Sequence, residues 1–207
     1  MNYQNIPSSE NNLIKGRMIG QRRPLRVEQV WAIRVRLELN EKIRDLALFN
    51  MAIDSMLRGC DLVRLLVRDI SHGEEIQSRA KIIQKKTGKP VQFEITKKTR
   101  VAVKNWIEYA ELTFDDYLFQ SRQRNSMHLS TRQYARIVDA WVTSIGLDKV
   151  VYGTHSMRRT KASIIYRETK NLRAIQILLG HSKLESTVRY LGVEINEALE
   201  IAEQIDV

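Results

Sequence analysis

The chain has 207 residues, with 34 Lys and Arg against 24 Asp and Glu and a formal net charge of +10. Hydrophobic residues make up 43% of it, enough for a sizeable core and too many for global disorder. No run reaches the ~18 apolar residues of a membrane span, and Met1 to Gly20 lacks the apolar centre of a secretory signal. The single Cys60 excludes an internal disulfide and a cysteine-based zinc cluster. Together these features predict a reduced, soluble, cytoplasmic protein of one or two domains with no membrane role.

A pI near 9.8 points to a polyanionic partner. Between Arg79 and Lys104 nine cations face one acid, Glu94, whereas the stretch from Gly192 to Val207 holds five acids and no Lys or Arg. An excess of cations spread over the body favours a phosphate backbone as ligand.

In chain order, residues 1–23 are polar and aperiodic and read as a flexible tail or linker. Pro24 suits a first helical turn, and Val27, Val30, Trp31, Val35 and Leu37 follow at approximate helical spacing. A second helix is predicted over residues 41–55, and a third from about Cys60 through Leu62, Leu65 and Leu66. Beyond Arg68 the texture changes. Residues 76–84 and 91–96 are rich in β-formers and flank Lys85-Lys86-Thr87-Gly88-Lys89-Pro90, which predicts a β-hairpin with a basic tip. Helices are then predicted over 97–111, 131–146, 155–168, 172–179, 183–191 and 196–204. Gly180 suits the end of the helix over 172–179, and Ser182 with Glu185 forms a capping box for the next one. The expected fold class is mainly α with a small antiparallel β-sheet (α+β).

Several chemistries are excluded. Asp115-Asp116 is the only adjacent aspartate pair, and sequence neighbours cannot both face one metal site from a regular element. The histidines at 72, 128, 155 and 181 lack zinc spacing, so no metal is implied. Lys86-Thr87-Gly88 and Ser78-x-x-Lys81 imitate penicillin-binding motifs but fall within one hairpin.

Three segments carry the positive argument. In Thr154-His155-Ser156-Met157-Arg158-Arg159, His155 and Arg158 share a helix face. Gly180-His181 opens a helix that ends near Tyr190, and Arg58 sits at a corner between helices. With Lys86 on the hairpin, this ordered set resembles the catalytic domain of the tyrosine recombinases, the phage integrase family, over residues 24–191. The resemblance implies strand cleavage and rejoining on double-stranded DNA, with no cofactor or ATP. Tyr190 would be the nucleophile, and Arg58, Arg158 and His181 would hold the phosphate by bidentate and charge-assisted hydrogen bonds. His155 would accept or orient the tyrosine proton, and Lys86 would protonate the leaving 5′-oxygen. Lys85 and Lys89 share the hairpin turn and remain alternatives to Lys86. Asp61, where the family usually has glutamate, would support Arg58, and Arg79, Lys85, Lys89 and Arg159 would bind DNA. The family's N-terminal clamp domain has no room before Pro24, so the chain is either a short member or a fragment. It would work as a homo-tetramer on paired sites, with an accessory DNA-bending or site-recognition protein as a possible partner. The acidic segment 192–207 would form a helix docking on a neighbouring protomer or packing on its own domain. Two rivals stay open: a DNA-binding regulator without strand exchange, and a relaxing enzyme like type IB topoisomerases.

Overall fold

The computed structural model describes residues 22–121 and 126–191. Its helices are α1 (Val27–Leu39), α2 (Ile43–Ser55), the single turn α3 (Gly59–Leu62), α4 (Lys97–Tyr109), α5 (Thr131–Ser144), α6 (Thr154–Thr169), α7 (Leu172–Leu179) and α8 (Leu184–Leu191). Two antiparallel ladders complete it, β1 (Ser71–His72) with β2 (Glu75–Ile76) and β3 (Arg79–Ile83) with β4 (Pro90–Glu94). The mainly helical class with a small antiparallel sheet is therefore observed.

Helix α2 is the hub. Ala47 to Ser55 are all buried, because apolar residues occupy every side of this helix and α1, α4 and α6 surround it. Phe49 meets the ring edge of Trp141 on α5 at 5.3 Å, and Tyr134 meets the same indole at 6.4 Å. Ser130 caps α5 through its Oγ, which accepts from the Gln133 amide at 3.1 Å. Burial raises the Tyr134 phenol far above its ordinary pKa, marking the dryness of this core.

Asp54 ties three helices together. Its carboxylate accepts from Thr96 N (2.9 Å), Thr96 Oγ1 (2.6 Å), Thr99 Oγ1 (2.5 Å) and Lys161 Nζ (2.9 Å). That joins the end of α2 to the start of α4 and the middle of α6. Met56 then turns left-handed at φ 51° and stops α2. A non-glycine residue there costs about 1 kcal/mol, offset by its side chain packing with Ala162, Tyr166, Ile175 and Leu179 in a second, smaller core.

The expected elements need four adjustments. The apolar residues of α1 split: Val30, Ile33 and Leu37 are buried, whereas Val27, Trp31, Val35 and Leu39 lie exposed on the other side. The third helix is one turn, and the chain then runs into a bridge between Leu66 and Tyr117. Ile76 belongs to its own small ladder with Ser71, set by the left-handed Gly73, so the long hairpin begins at Arg79. Helix α8 begins at Leu184, one residue later than the capping pattern predicted. The helix expected over 196–204 lies outside the described residues. At the other end, Arg23 N donates to Val151 O at 3.1 Å and Leu25 N to Thr160 Oγ1 at 3.0 Å. Arg22 and Arg23, the described end of the expected tail, are thus hydrogen-bonded to the body.

Candidate active site

The corner after α2, the first turn of α6, the α7–α8 turn and the end of α8 bring Arg58, Arg158, Arg159, His181 and Tyr190 together. Left-handed Gly180 (φ 65°) ends α7 and turns the chain so that His181 follows directly, as the sequence predicted. The His181 ring lies 5.4 Å from the Tyr190 ring, edge-on at 82°. The guanidinium carbons of Arg158 and Arg159 lie 5.8 and 5.3 Å from the Tyr190 ring centre.

Arg158 is 3% exposed and donates through Nη2 to the Leu179 carbonyl at 2.9 Å. Its Nη1, Arg58 Nη1, Asp61 Oδ2 and the Tyr190 hydroxyl are all buried with no partner at ordinary hydrogen-bond geometry, the hydroxyl lying close enough to Arg158 for that guanidinium to favour its phenolate. Buried donors left unpaired cost roughly 1–3 kcal/mol each. Orphan atoms on both arginines and the phenol, at one place, are the signature of a cradle built for an anion rather than for the fold.

The electrostatics agree. Burial pushes the Tyr190 phenol up to about 12, against the pull of Arg158, Arg159 and Arg58. Burial, then Arg158 and Arg58, lowers His181 to about 4. His155 is also lowered, by partial desolvation first and then by Arg158, Arg159, Arg22 and Arg58. Both imidazoles are therefore neutral at pH 7.

The remaining expected residues fall into three places. His155 stands exposed on the first turn of α6, within the field of the arginines and with no hydrogen bond to Tyr190. Lys86 is exposed on the hairpin turn, and among the described residues its side chain makes no hydrogen bond to Arg58, Arg158 or Tyr190. Lys85 and Lys89 flank it, also exposed, and Arg79 pairs with Glu94 at 3.2 Å on the outer side of the ladder.

Two of the expected residues are buried. Arg159 is 7% exposed, donates to the Arg22 carbonyl at 2.9 Å and lies against Tyr190. Asp61, 4% exposed, does not hydrogen-bond Arg58; its Oδ1 accepts the Lys85 amide at 2.9 Å and so pins the hairpin.

Gln84 and Thr187 were not foreseen. Gln84 Nε2 donates to Leu179 O at 3.4 Å while its Oε1 accepts from Thr87 Oγ1 at 2.9 Å. Thr187 Oγ1 lies 3.1 Å from His181 Nδ1. Their only sequence signals are position, one residue before the basic turn and three residues before the tyrosine.

The model of the phage integrase family matches residues 24–197. The chain belongs to that family and carries a tyrosine recombinase catalytic domain. It is 29% identical over 156 residues to the probable integrase/recombinase YoeC of Bacillus subtilis, covering 75% of this chain and 81% of that protein. It is 30% identical over 155 residues to the tyrosine recombinase XerC of Neisseria gonorrhoeae, covering 74% of this chain and 48% of that one. The chain thus spans about half the length of the XerC relatives it matches. In structure it is similar to the XerA recombinase (TM-score 0.70, 20% identity, 87% of this chain and 64% of that chain). It also resembles the XerH site-specific recombinase bound to its difH substrate (TM-score 0.67, 18% identity, 90% of this chain and 55% of that chain). At these identities the structural likeness establishes the fold. No helix among the described residues is long and apolar enough to cross a membrane.

Proposed function

We propose that this chain is a site-specific recombinase that cuts and rejoins duplex DNA through a 3′-phosphotyrosine at Tyr190. The observation that carries the reading is the cluster of orphan buried atoms on Arg58, Arg158 and Tyr190. Both guanidiniums and His181 would bind the non-bridging oxygens of a scissile phosphate, where charge builds in the transition state. The Tyr190 oxygen forms the bond to phosphorus as its proton passes to neutral His155. The P–O5′ bond breaks, and Lys86 on the exposed hairpin turn gives that oxygen its proton. A 5′-hydroxyl from another strand reverses the steps, so the phosphotyrosine conserves the bond energy and no ATP is consumed.

Arg159 beside the phenol adds positive potential that favours the phenolate. Lys85 and Lys89 on the turn, and Arg79 on β3, supply phosphate contacts outside the cradle. Like the XerH protein with its difH substrate, this chain acts on duplex DNA, in the cytoplasm on nucleoid DNA, for integration, excision or inversion. Four copies on paired sites, with an accessory protein reading or bending the site, complete the assembly.

The test incubates the chain with nicked suicide duplexes from DNA flanking its gene, in EDTA, and resolves products on denaturing gels. A protein–DNA band lost in Tyr190→Phe and kept in Tyr152→Phe supports the proposal. Binding without such a band assigns the chain to DNA recognition alone. New junctions from paired sites, rather than relaxed circles, separate exchange from relaxation.

A further inference from the structure

We propose that Thr187 is a positioning residue that fixes His181 as the tautomer with its proton on Nε2, making this histidine a neutral hydrogen-bond donor to the phosphate. The inference rests on the reading of Tyr190 as a DNA-cleaving nucleophile, and adds which proton His181 holds and what holds it there.

Thr187 is 0% exposed, on the inward side of α8, one turn before Tyr190. Its hydroxyl has one hydrogen-bond partner among the described residues, His181 Nδ1 at 3.1 Å. A hydroxyl can donate once and accept twice, and a neutral imidazole has one donor and one acceptor nitrogen. If Nδ1 carried the proton, Thr187 would accept it and its own hydrogen would be buried with nothing to receive it. If Nδ1 is bare, the Thr187 hydrogen is satisfied, and the ring proton must sit on Nε2. Leaving a buried donor unpaired is the costlier choice.

The surroundings close the alternatives. A doubly protonated ring is opposed by desolvation first and then by Arg158 and Arg58. The His181 backbone is held as well, its amide donating to Gln176 O at 3.0 Å. The Tyr190 ring stands against the imidazole edge-on and supplies no acceptor nitrogen or oxygen to it. Ring and backbone are thus each anchored, and Nε2–H is the free donor. With its proton on Nε2 and its bare nitrogen committed to Thr187, His181 cannot take the proton of Tyr190. That task falls to His155, so the two histidines divide into a donor and an acceptor.

The test is a long-range 1H–15N correlation spectrum of the uniformly 15N-labelled full chain near pH 7, with His181 assigned by His181→Asn. The expected spectrum shows His181 Nδ1 as a bare nitrogen and Nε2 as the protonated one. In Thr187→Val the tautomers mix, and suicide-duplex cleavage falls about tenfold, the equivalent of one net hydrogen bond. Thr187→Ser restores both. A protonated Nδ1 in the unmodified chain overturns the inference, and so does a Thr187→Val protein that keeps both the tautomer and the cleavage rate. Should Thr187→Val fail to fold, the spectrum of the unmodified chain decides alone. Should the unmodified chain cleave no duplex, the recombinase reading fails while the tautomer is still read directly.

Discussion

The Arg158 guanidinium and the Gln84 carboxamide converge on one acceptor, the Leu179 carbonyl oxygen, at 2.9 and 3.4 Å. Gln84 also receives Thr87 of the hairpin turn, and Gly180 lies so close that an added Cβ would come within 3.1 Å of the Gln84 amide. A side chain beyond hydrogen at 180 would therefore meet both an unfavourable φ and a wall. The hairpin that bears Lys86 is by this route geared to the helix that bears Arg158, with Asp61 holding the turn from the other side.

Gln84→Met keeps volume and removes both polar links. Cleavage is expected to fall about tenfold while duplex binding stays within twofold of the original, as only catalytic alignment is lost. Duplexes with sulfur at the bridging 5′ position expose the cause. A thiolate leaves without a proton, so a defect in placing Lys86 vanishes on that substrate and a defect in Arg158 does not. Lys86→Ala should behave in the same way, more strongly. If neither variant recovers, Lys86 is not the acid, and Lys85 and Lys89 are the next to change.

Tyr190→Phe should abolish the covalent adduct without weakening the fold. The Tyr190 hydroxyl is buried with no hydrogen bond of ordinary geometry, and its contact with Arg158 only partly offsets the desolvation, so its removal relieves at most about 1 kcal/mol. At 2–4 °C per kcal/mol for a chain of this size, the melting temperature stays level or rises by a few degrees. A clear drop in melting temperature would mean the phenol is hydrogen-bonded in the native state and the cradle is built otherwise.

What the sequence disclosed and what it hid follow one physical line. His155 and Arg158 share a turn of α6, and Gly180, His181 and Tyr190 span a helix junction, so local periodicity exposes them. Gln84 and Leu179 are 95 residues apart, and no spacing rule brings them together. The burial of Arg159 against Arg22 and Tyr190, both distant in the chain, has no local signal either. Helix α1 misled for a related reason. Its apolar residues follow helical spacing on two faces, and only the packed neighbours show that Val30, Ile33 and Leu37 form the inner one. The brief third helix was overrun by a long-range bridge to Tyr117, a tertiary choice that local propensity does not contain.

Asp54 offers a separable stability test. Burial pushes its pKa up, but the Lys161 charge and the hydrogen bonds from Thr96, Thr99 and Lys161 outweigh that, leaving it below the ordinary 3.8. A carboxyl with a depressed native pKa contributes stability above its unfolded value, and that contribution is lost as pH falls through the native one. Lys161→Met removes the largest lowering influence, so the acid-unfolding limb should move to higher pH. Asp54→Asn should cost about 2 kcal/mol at pH 7. Because α2 leads to Arg58 and α6 carries Arg158, cleavage should fall in both variants. An acid limb that stays in place in Lys161→Met would show that Thr96 and Thr99 alone hold the carboxylate.

The histidines set the pH dependence at milder acidity. His155 and His181 are lowered below 6.5 by desolvation first and then by the arginines, His181 to about 4. In this window the unfolded chain binds more protons than the native one, so stability rises with pH. Acidification of the DNA-free chain from about 6.5 towards 4 should therefore shift urea midpoints steadily downwards. The carboxylate limb of Asp54 begins only at about pH 5, so the slope between about 6.5 and 5 reports the histidines. His181→Asn should flatten the slope. Bound duplex should flatten it too, since a phosphate in the cradle offsets Arg58 and Arg158 and raises both imidazoles. A slope that His181→Asn leaves unchanged would mean that His181 is already protonated in the native chain, and the arginine field at this site would have to be redrawn.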